Sequence, residues 1–242
     1  MFSFIWHTFF FDPVYNSLIF FVNTIPNGDV GLAIIATVIL VKMVILPLSI
    51  KAAKTQRIMR EIEPKVKALK EEFKDDREKQ ARAMMDVYKE AEINPFASIL
   101  LVFIQIPIII SLYFSVSTGG GVALPEINTA LLYSFITEPT IVTMNFLHWI
   151  DITERSILLA LGAGVTQFIF TSMTLPKLTP KKDGAAPDLK EDFMRNMQLQ
   201  MKYVMPVIIA IVAYTISAAI ALYFLVSNLV SIAQEYYVKK HR

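Results

Sequence analysis

The residue with the sharpest chemical consequence in this 242-residue chain is Lys42, set in the stretch "GLAIIATVILVKMVILPLSIKAAK" (31–54). Val30 to Ile50 is 21 residues. That is roughly 30 Å of helix at 1.5 Å per residue, the thickness of a bilayer's hydrocarbon core. Lys42 lies near its centre, and the first basic flank, Lys51, is nine residues away. Nine residues is about 13 Å of helix, too far for a lysine side chain to reach headgroups. An ammonium at that depth costs about 2.5–3.5 kcal/mol on insertion scales, so it must face protein or water.

Polar residues recur at helical spacing in the other apolar runs. Ser49 lies two turns after Lys42, and Gln105 lies two turns after Ser98. Gly164, Gln167, Thr171 and Thr174 form one stripe; Tyr223, Ser227, Ser231 and Gln234 form another, with Asn228 beside it. A single such stripe is most simply read as small polar residues gluing helices together. Four stripes around a cation, with no Asp or Glu in the apolar runs except Glu154 and Glu235 at their ends, point instead to a hydrated cleft that is positive at its centre. The candidate site residues are therefore Lys42, Ser49, Gln105, Gln167, Thr171, Tyr223, Ser227, Asn228 and Ser231.

The elements that must position them follow from composition and charge. With 55% hydrophobic and 18% charged residues and a mean hydropathy of +0.50, the chain is too apolar for a soluble domain. It reads as an all-α, polytopic membrane protein. Of 23 Lys and Arg residues, all but Lys42 and Arg155 fall in 51–95, 176–202 or the tail after 237. By the positive-inside rule these segments are cytoplasmic. The apolar runs then read as spans at 30–50, 96–118 and 154–175. The run 203–236, basic at both ends, must be a hairpin of two spans. Five transmembrane helices result, with the N-terminus outside and the C-terminus inside. The external loop region, 119–153, carries Glu126, Glu138 and Asp151 but no Lys or Arg. Tyr203 to Gln234 offers 32 residues for two crossings. At roughly 24 Å of helix each, against a core of about 30 Å, this predicts local thinning of the bilayer.

Residues 1–29 are aromatic-rich, lack Lys and Arg, and are interrupted at Asp12-Pro13. They read as a helix lying in the outer interface, with a partial re-entrant segment as the alternative, rather than a signal peptide. Residues 51–95, with 12 basic and 10 acidic side chains and no glycine, read as a cytoplasmic helical hairpin. Ile58, Ile62, Val66, Leu69 and Phe73 stripe its first helix, and Ala81, Met84, Met85, Tyr88 and Ala91 its second. Pro64 adjusts the first. Methionines at 59, 84, 85, 194, 197 and 201 give the cytoplasmic segments adaptable apolar surface, a property of partner-binding faces that hairpin packing also explains in part. "LTPKKDGAAPDLK" (178–190) reads as a loop within 176–202, and 237–242 as a basic tail.

Chemistry beyond this is sparse. Cysteine is absent, which excludes disulfides and thiolate metal sites, and no lipid-bearing cysteine is expected. The histidines at 7, 148 and 241 are scattered and no Gly-rich loop precedes a helix. No metal site, cofactor or catalytic activity is expected, and no DNA partner. The basic face suits anionic lipid or ribosomal RNA.

Two stretches carry a resemblance. "NPFASILLVFIQIPIIISLYFSV" (94–116), with its Asn-Pro entry and Gln-x-Pro core, and "MPVIIAIVAYTISAAIALYFLVSNLVSIAQEYYV" (205–238), with Leu-Tyr and Val-Ser-Asn-Leu, resemble the YidC/Oxa/Alb family of membrane protein insertases. The similarity extends from about Val30 to Val238. It implies a hydrophilic groove open to cytoplasm and lipid in a bacterial cell (inner) membrane. Lys42 stands where most members carry arginine, which keeps the charge but not the bidentate fork; Gln105, Tyr223 and Ser227 match groove positions. The extra span and periplasmic domain of Gram-negative members, and the lipoprotein cysteine of many Gram-positive ones, are not expected. Nascent membrane proteins are the implied clients, with membrane lipid, the ribosome and the Sec translocon as further candidate partners. A hydrophilic client tail would enter the wet groove and the apolar segment would pass into lipid. The competing readings are a small anion transporter or channel built on Lys42, and an assembly factor that only holds other membrane proteins together.

The exposed charges and methionines of 51–95 give the first test. Replacing that segment by a short neutral linker should leave the chain folded in membranes but impair client insertion into vesicles. Full insertion would remove a recruiting role from the hairpin.

Overall fold

The computed structural model describes residues 2–94, 97–117, 121–175 and 195–240. The chain divides into two compact units, one of 1–43 with 107–242 and one of 44–106. The divisions fall next to helix-internal prolines, Pro47 and Pro107, whose missing N–H removes a backbone hydrogen bond from each helix.

The helices are α1 (Phe2–Trp6), α2 (Asp12–Thr24), α3 (Val30–Glu61), α4 (Glu63–Glu72), α5 (Arg77–Glu90), α6 (Ala97–Val116) and α7 (Ile157–Thr174). They are followed by α8 (Arg195–Ile216) and α9 (Ala218–Lys240). Four of them, α3, α7, α8 and α9, are long and apolar enough to cross a bilayer, and Phe103–Val116 of α6 is a shorter apolar stretch. The chain is a polytopic, almost wholly helical membrane protein. A two-stranded hairpin, β1 (Asn145–Phe146) and β2 (Ile150–Asp151), is a small addition to the all-α expectation.

Within the larger unit α7 packs against both α8 and α9. Small residues make the approach close, as packing between membrane helices requires. A Cβ on Gly164 would lie 2.9 Å from Ala210 Cβ and 3.2 Å from Pro206 O, and one on Gly162 would lie 3.3 Å from Leu225 Cδ1. Ala160, Ala163, Ala213, Ala218, Ala219 and Ala221 are buried around these contacts. The outward faces carry exposed Leu158, Leu161, Val165, Val207 and Ile211, the surface that lipid covers.

The N-terminal stretch departs from the sequence reading at Asp12-Pro13. It does not break there; a π-helical turn, His7–Phe11, leads into α2 with Pro13 in its first turn. Phe11, Val14, Tyr15, Leu18, Ile19 and Val22 are buried in two i, i+4 rows of one face. Asn16 Nδ2 donates to Leu131 O at 2.9 Å, Asn16 Oδ1 accepts from Tyr133 N–H at 2.7 Å, and Tyr15 Oη accepts from Asn128 N–H at 3.0 Å. Of the aromatic residues, Phe11 and Tyr15 are buried against protein, whereas Phe4, Phe9 and Phe20 stay exposed.

The same segment 121–154 secures two helix starts. Asp29 caps α3, its Oδ1 accepting from Leu32 N–H at 3.0 Å and its Oδ2 from Leu147 N–H at 2.8 Å. The first N–H groups of α9, Ala218 and Ala219, donate to Glu154 O and Ile152 O at 2.7 and 2.9 Å. Helix-end donors that would otherwise need water are thus satisfied by loop carbonyls. Ser217 alone, in extended conformation, turns the chain from α8 to α9.

Helix lengths also revise the thinning argument. α8 has 22 residues and α9 has 23, roughly 33–35 Å each at 1.5 Å per residue. Both continue as helix into their basic ends, so total length suffices to cross, while mismatch with the bilayer is set by the apolar portions. Only the apolar portions are short.

In the smaller unit α3 runs eleven residues beyond the expected span end at Ile50. It stops at Ile62, just before Pro64 opens α4. The α4–α5 pair is the expected hairpin. Val66 is its buried contribution from the first stripe, but from α5 it is Val87 that is buried, with Met84 and Tyr88 half-buried and Ala81 and Met85 exposed. Lys65 pairs with Glu90 at 2.6 Å across the hairpin, and Gln80 Nε2 donates to Lys70 O at 2.9 Å. Asp76 caps α5 by accepting from Lys79 N–H at 3.0 Å, which with the Lys79 ammonium holds its carboxyl below the usual carboxylate range. Residues 176–194, including the "LTPKKDGAAPDLK" loop and Met194, lie outside the described residues.

Gly164 carries the tightest of these helix contacts. Gly164→Leu should cost about 1–3 kcal/mol by overpacking, read as a loss of stability in reversible unfolding in mixed micelles. Gly162→Ala, facing only a movable leucine end at 3.3 Å, should be nearly neutral.

Candidate functional site

Lys42 is half-buried, and its Nζ donates to Ser231 Oγ of α9 at 3.1 Å. Ser231 can accept because its own proton goes to Ser227 O, one turn earlier, at 2.8 Å. Ser227 is in turn hydrogen-bonded through its side chain to Tyr223. Lys42, Ser231, Ser227 and Tyr223 thus form one polar row, the last three at i, i+4 and i+8 along one face of α9. Among the described residues no carboxylate lies within ion-pairing distance of Lys42. An ammonium has three donors, and Ser231 accounts for one.

Other predicted residues take different places. Asn228 is buried and its Nδ2 donates to Ala163 O at 3.2 Å and to Thr166 Oγ1 at 3.3 Å, so its amide ties α9 to α7. Gln167 and Thr171 close on each other along α7, with Nε2 to Oγ1 at 3.3 Å and Thr171 Oγ1 to Gln167 O at 2.7 Å. Gln167 is half-buried and Thr171 buried. Ser49 and Gln105 belong to the smaller unit; Ser49 is buried and its hydroxyl donates to Leu46 O at 3.0 Å. Tyr223, only 2% exposed, backs the row rather than lining a surface.

Two structural partners escaped the periodicity argument. Thr166 bonds Asn228 and falls outside the Gly164, Gln167, Thr171 stripe. Lys239 Nζ donates to Met173 O at 2.8 Å near the end of α7 and lies 3.6 Å from the buried Glu235 carboxylate. Only the basic composition of the helix end could have hinted at Lys239, since lysines there suit exposed carbonyls.

The arrangement sets one cation, Lys42, against a row of hydroxyls on α9. The family described as 60Kd inner membrane protein matches residues 21–242. A membrane protein insertase YidC of Alkalihalophilus pseudofirmus is 29% identical over 243 residues, covering 96% of this chain and 81% of the relative. The YidC of Syntrophobacter fumaroxidans is 30% identical over 238 residues, covering 98% of this chain but 39% of the relative, and that of Burkholderia cenocepacia is 33% identical over 219 residues, covering 88% and 33%. The chain therefore spans most of the first relative and two fifths or less of the other two. Matched over nearly its whole length, it belongs to the YidC/Oxa family of inner membrane proteins.

Proposed function

We propose that the chain is a membrane protein insertase: it accepts the hydrophilic segment of a nascent membrane protein beside Lys42 and releases the apolar segment into lipid. The observation that carries this is the Lys42 ammonium, lodged between apolar helices with a hydroxyl as its described protein partner rather than a carboxylate. A charge left without a counter-charge in such a layer needs water or an incoming anion. Lys42, Ser231 and Gln167 are the half-buried groups available to a client; Tyr223, Ser227, Asn228 and Thr171 hold them in place. Ser49 and Gln105, in the smaller unit, are further candidate client-binding residues through their polarity and the family resemblance. The topology that serves this is five spans, N-terminus outside, with the basic segments facing the cytoplasm and the ribosome or translocon that presents the client. The names of the insertases it is similar to support the reading.

The physics requires no nucleotide. A wet cleft lowers the desolvation penalty of a polar tail, and burial of some 20 apolar residues drives release into lipid. Acidic tails gain further from the membrane potential, at about 2.3 kcal/mol per charge per 100 mV.

Paired clients that differ only in tail charge, presented to vesicles holding equal amounts of each folded variant, test this. Lys42→Arg should retain insertion, because the charge persists. Lys42→Glu should reduce insertion of the acidic-tailed client by about tenfold or more through repulsion, and Lys42→Ala by less. The neutral-tailed client should tolerate all three. Equal losses for both clients would make Lys42 a structural cation, and solute flux without insertion would favour the anion transporter.

A further inference from the structure

The β1–β2 hairpin pairs a firmly built base with an apolar tip that no described residue covers. At the base, Phe146 is buried over Gly31, where its ring occupies the space a Cβ would need, and Ile152 is fully buried. Thr143 N–H donates to Gly28 O at 2.8 Å, Val30 N–H to Thr143 O at 3.0 Å and Leu147 N–H to Asp29 Oδ2 at 2.8 Å. Together with the Ala218 and Ala219 bonds to the segment that follows, this fixes the hairpin against the starting ends of two membrane-crossing helices, α3 and α9. At the tip, Leu147 is 54% and Trp149 90% exposed.

The tip is also strained. Leu147 and His148 both have positive φ, 52° and 65°, a conformation usually left to glycine or asparagine in tight hairpins. Two consecutive side-chain-bearing residues are held there to present Leu and Trp side chains outward, and such outliers persist where the presented geometry has a use.

We propose that Leu147 and Trp149 form an interfacial anchor that enters the headgroup–acyl boundary of the leaflet opposite the basic segments. Three observations select lipid as the occupant. The hairpin is tied to the ends of helices that cross the bilayer, so its tip lies at the height where hydrocarbon gives way to water. Tryptophan, with an apolar body and one N–H, is the side chain most at home at that level. No Lys or Arg occurs from 121 to 154, so the contact is apolar and independent of anionic headgroups. The anchor fixes the depth of the α3 and α9 ends and stands independently of the client reading.

Trp6 and Trp149 are the two tryptophans of the chain. In full-length Trp6→Phe protein in phosphatidylcholine vesicles, Trp149 emission should be blue-shifted from that of indole in water and only weakly quenched by iodide supplied on both sides. Lipid brominated near the headgroup end of its chain should quench it about twofold or more beyond lipid brominated near the chain terminus. Adding anionic lipid should change neither result. Leu147→Asp in the same background should weaken the bromolipid quenching while the Leu147 N–H bond to Asp29 persists. If the Trp6→Phe protein is not recovered folded, the difference between the unmodified chain and Trp149→Phe reads the same quantity. Free quenching by iodide with no response to bromolipid overturns the anchor and leaves the tip facing water, open to a protein partner.

Discussion

An ammonium held between apolar helices loses its hydration unless something polar replaces it, and Lys42 receives from the described protein one hydroxyl, Ser231 Oγ at 3.1 Å. A carboxylate would have closed the site into an ion pair with little left to offer. A serine that already gives its proton to Ser227 O accepts one donor and leaves the charge uncompensated. The row behind it on α9 is built at four-residue spacing because only that period keeps Tyr223, Ser227 and Ser231 on one face. Asn228, one step round the helix, falls on the flank that meets α7 and serves as an interhelical tie.

Such a site needs helices that do not drift, and the molecule supplies this at both ends of the spans. At the starting ends of α3 and α9 the constraint is the unpaired N–H groups of each helix. Asp29 meets this for α3, and the carbonyls of Ile152 and Glu154 meet it for α9. The segment 121–154, which also meets α3 through Thr143 O, is itself held by Asn16 and Tyr15 of α2. At the basic end of α9, Lys239 reaches the last turn of α7. Between these ends, Gly164 against Ala210 brings α7 and α8 close enough for dispersion, in place of a hydrophobic driving force, to hold them in lipid.

Much of this was legible in the sequence because hydrocarbon is a demanding solvent. It forbids uncompensated polarity, so an apolar run of about 20 residues has to be a helix and a lone Lys42 within one has to be exceptional. The same constraint, with the four- and three-residue spacings, put Tyr223, Ser227 and Ser231 on one face before any coordinates. The α4–α5 hairpin was visible in its stripe and in Pro64. Val87 was missed because a two-helix surface hairpin buries few positions, and which ones depends on the rotation of one helix against the other rather than on hydropathy.

What the sequence determined by itself was local and periodic: an all-α membrane chain, the runs that form its apolar helices, and the cation that makes one of them unusual. Tertiary structure decided everything that rests on contacts between residues far apart in the chain. It tied the N-terminal helix to the segment 121–154, since Asn16 and Tyr15 meet residues more than a hundred positions later. It carried the α8 and α9 helices past their apolar limits, because backbone hydrogen bonding does not stop where hydropathy does. It also divided one polar stripe into a row that attends Lys42 and an amide that joins α9 to α7. Periodicity gives a residue its face on a helix; only packing determines what that face meets.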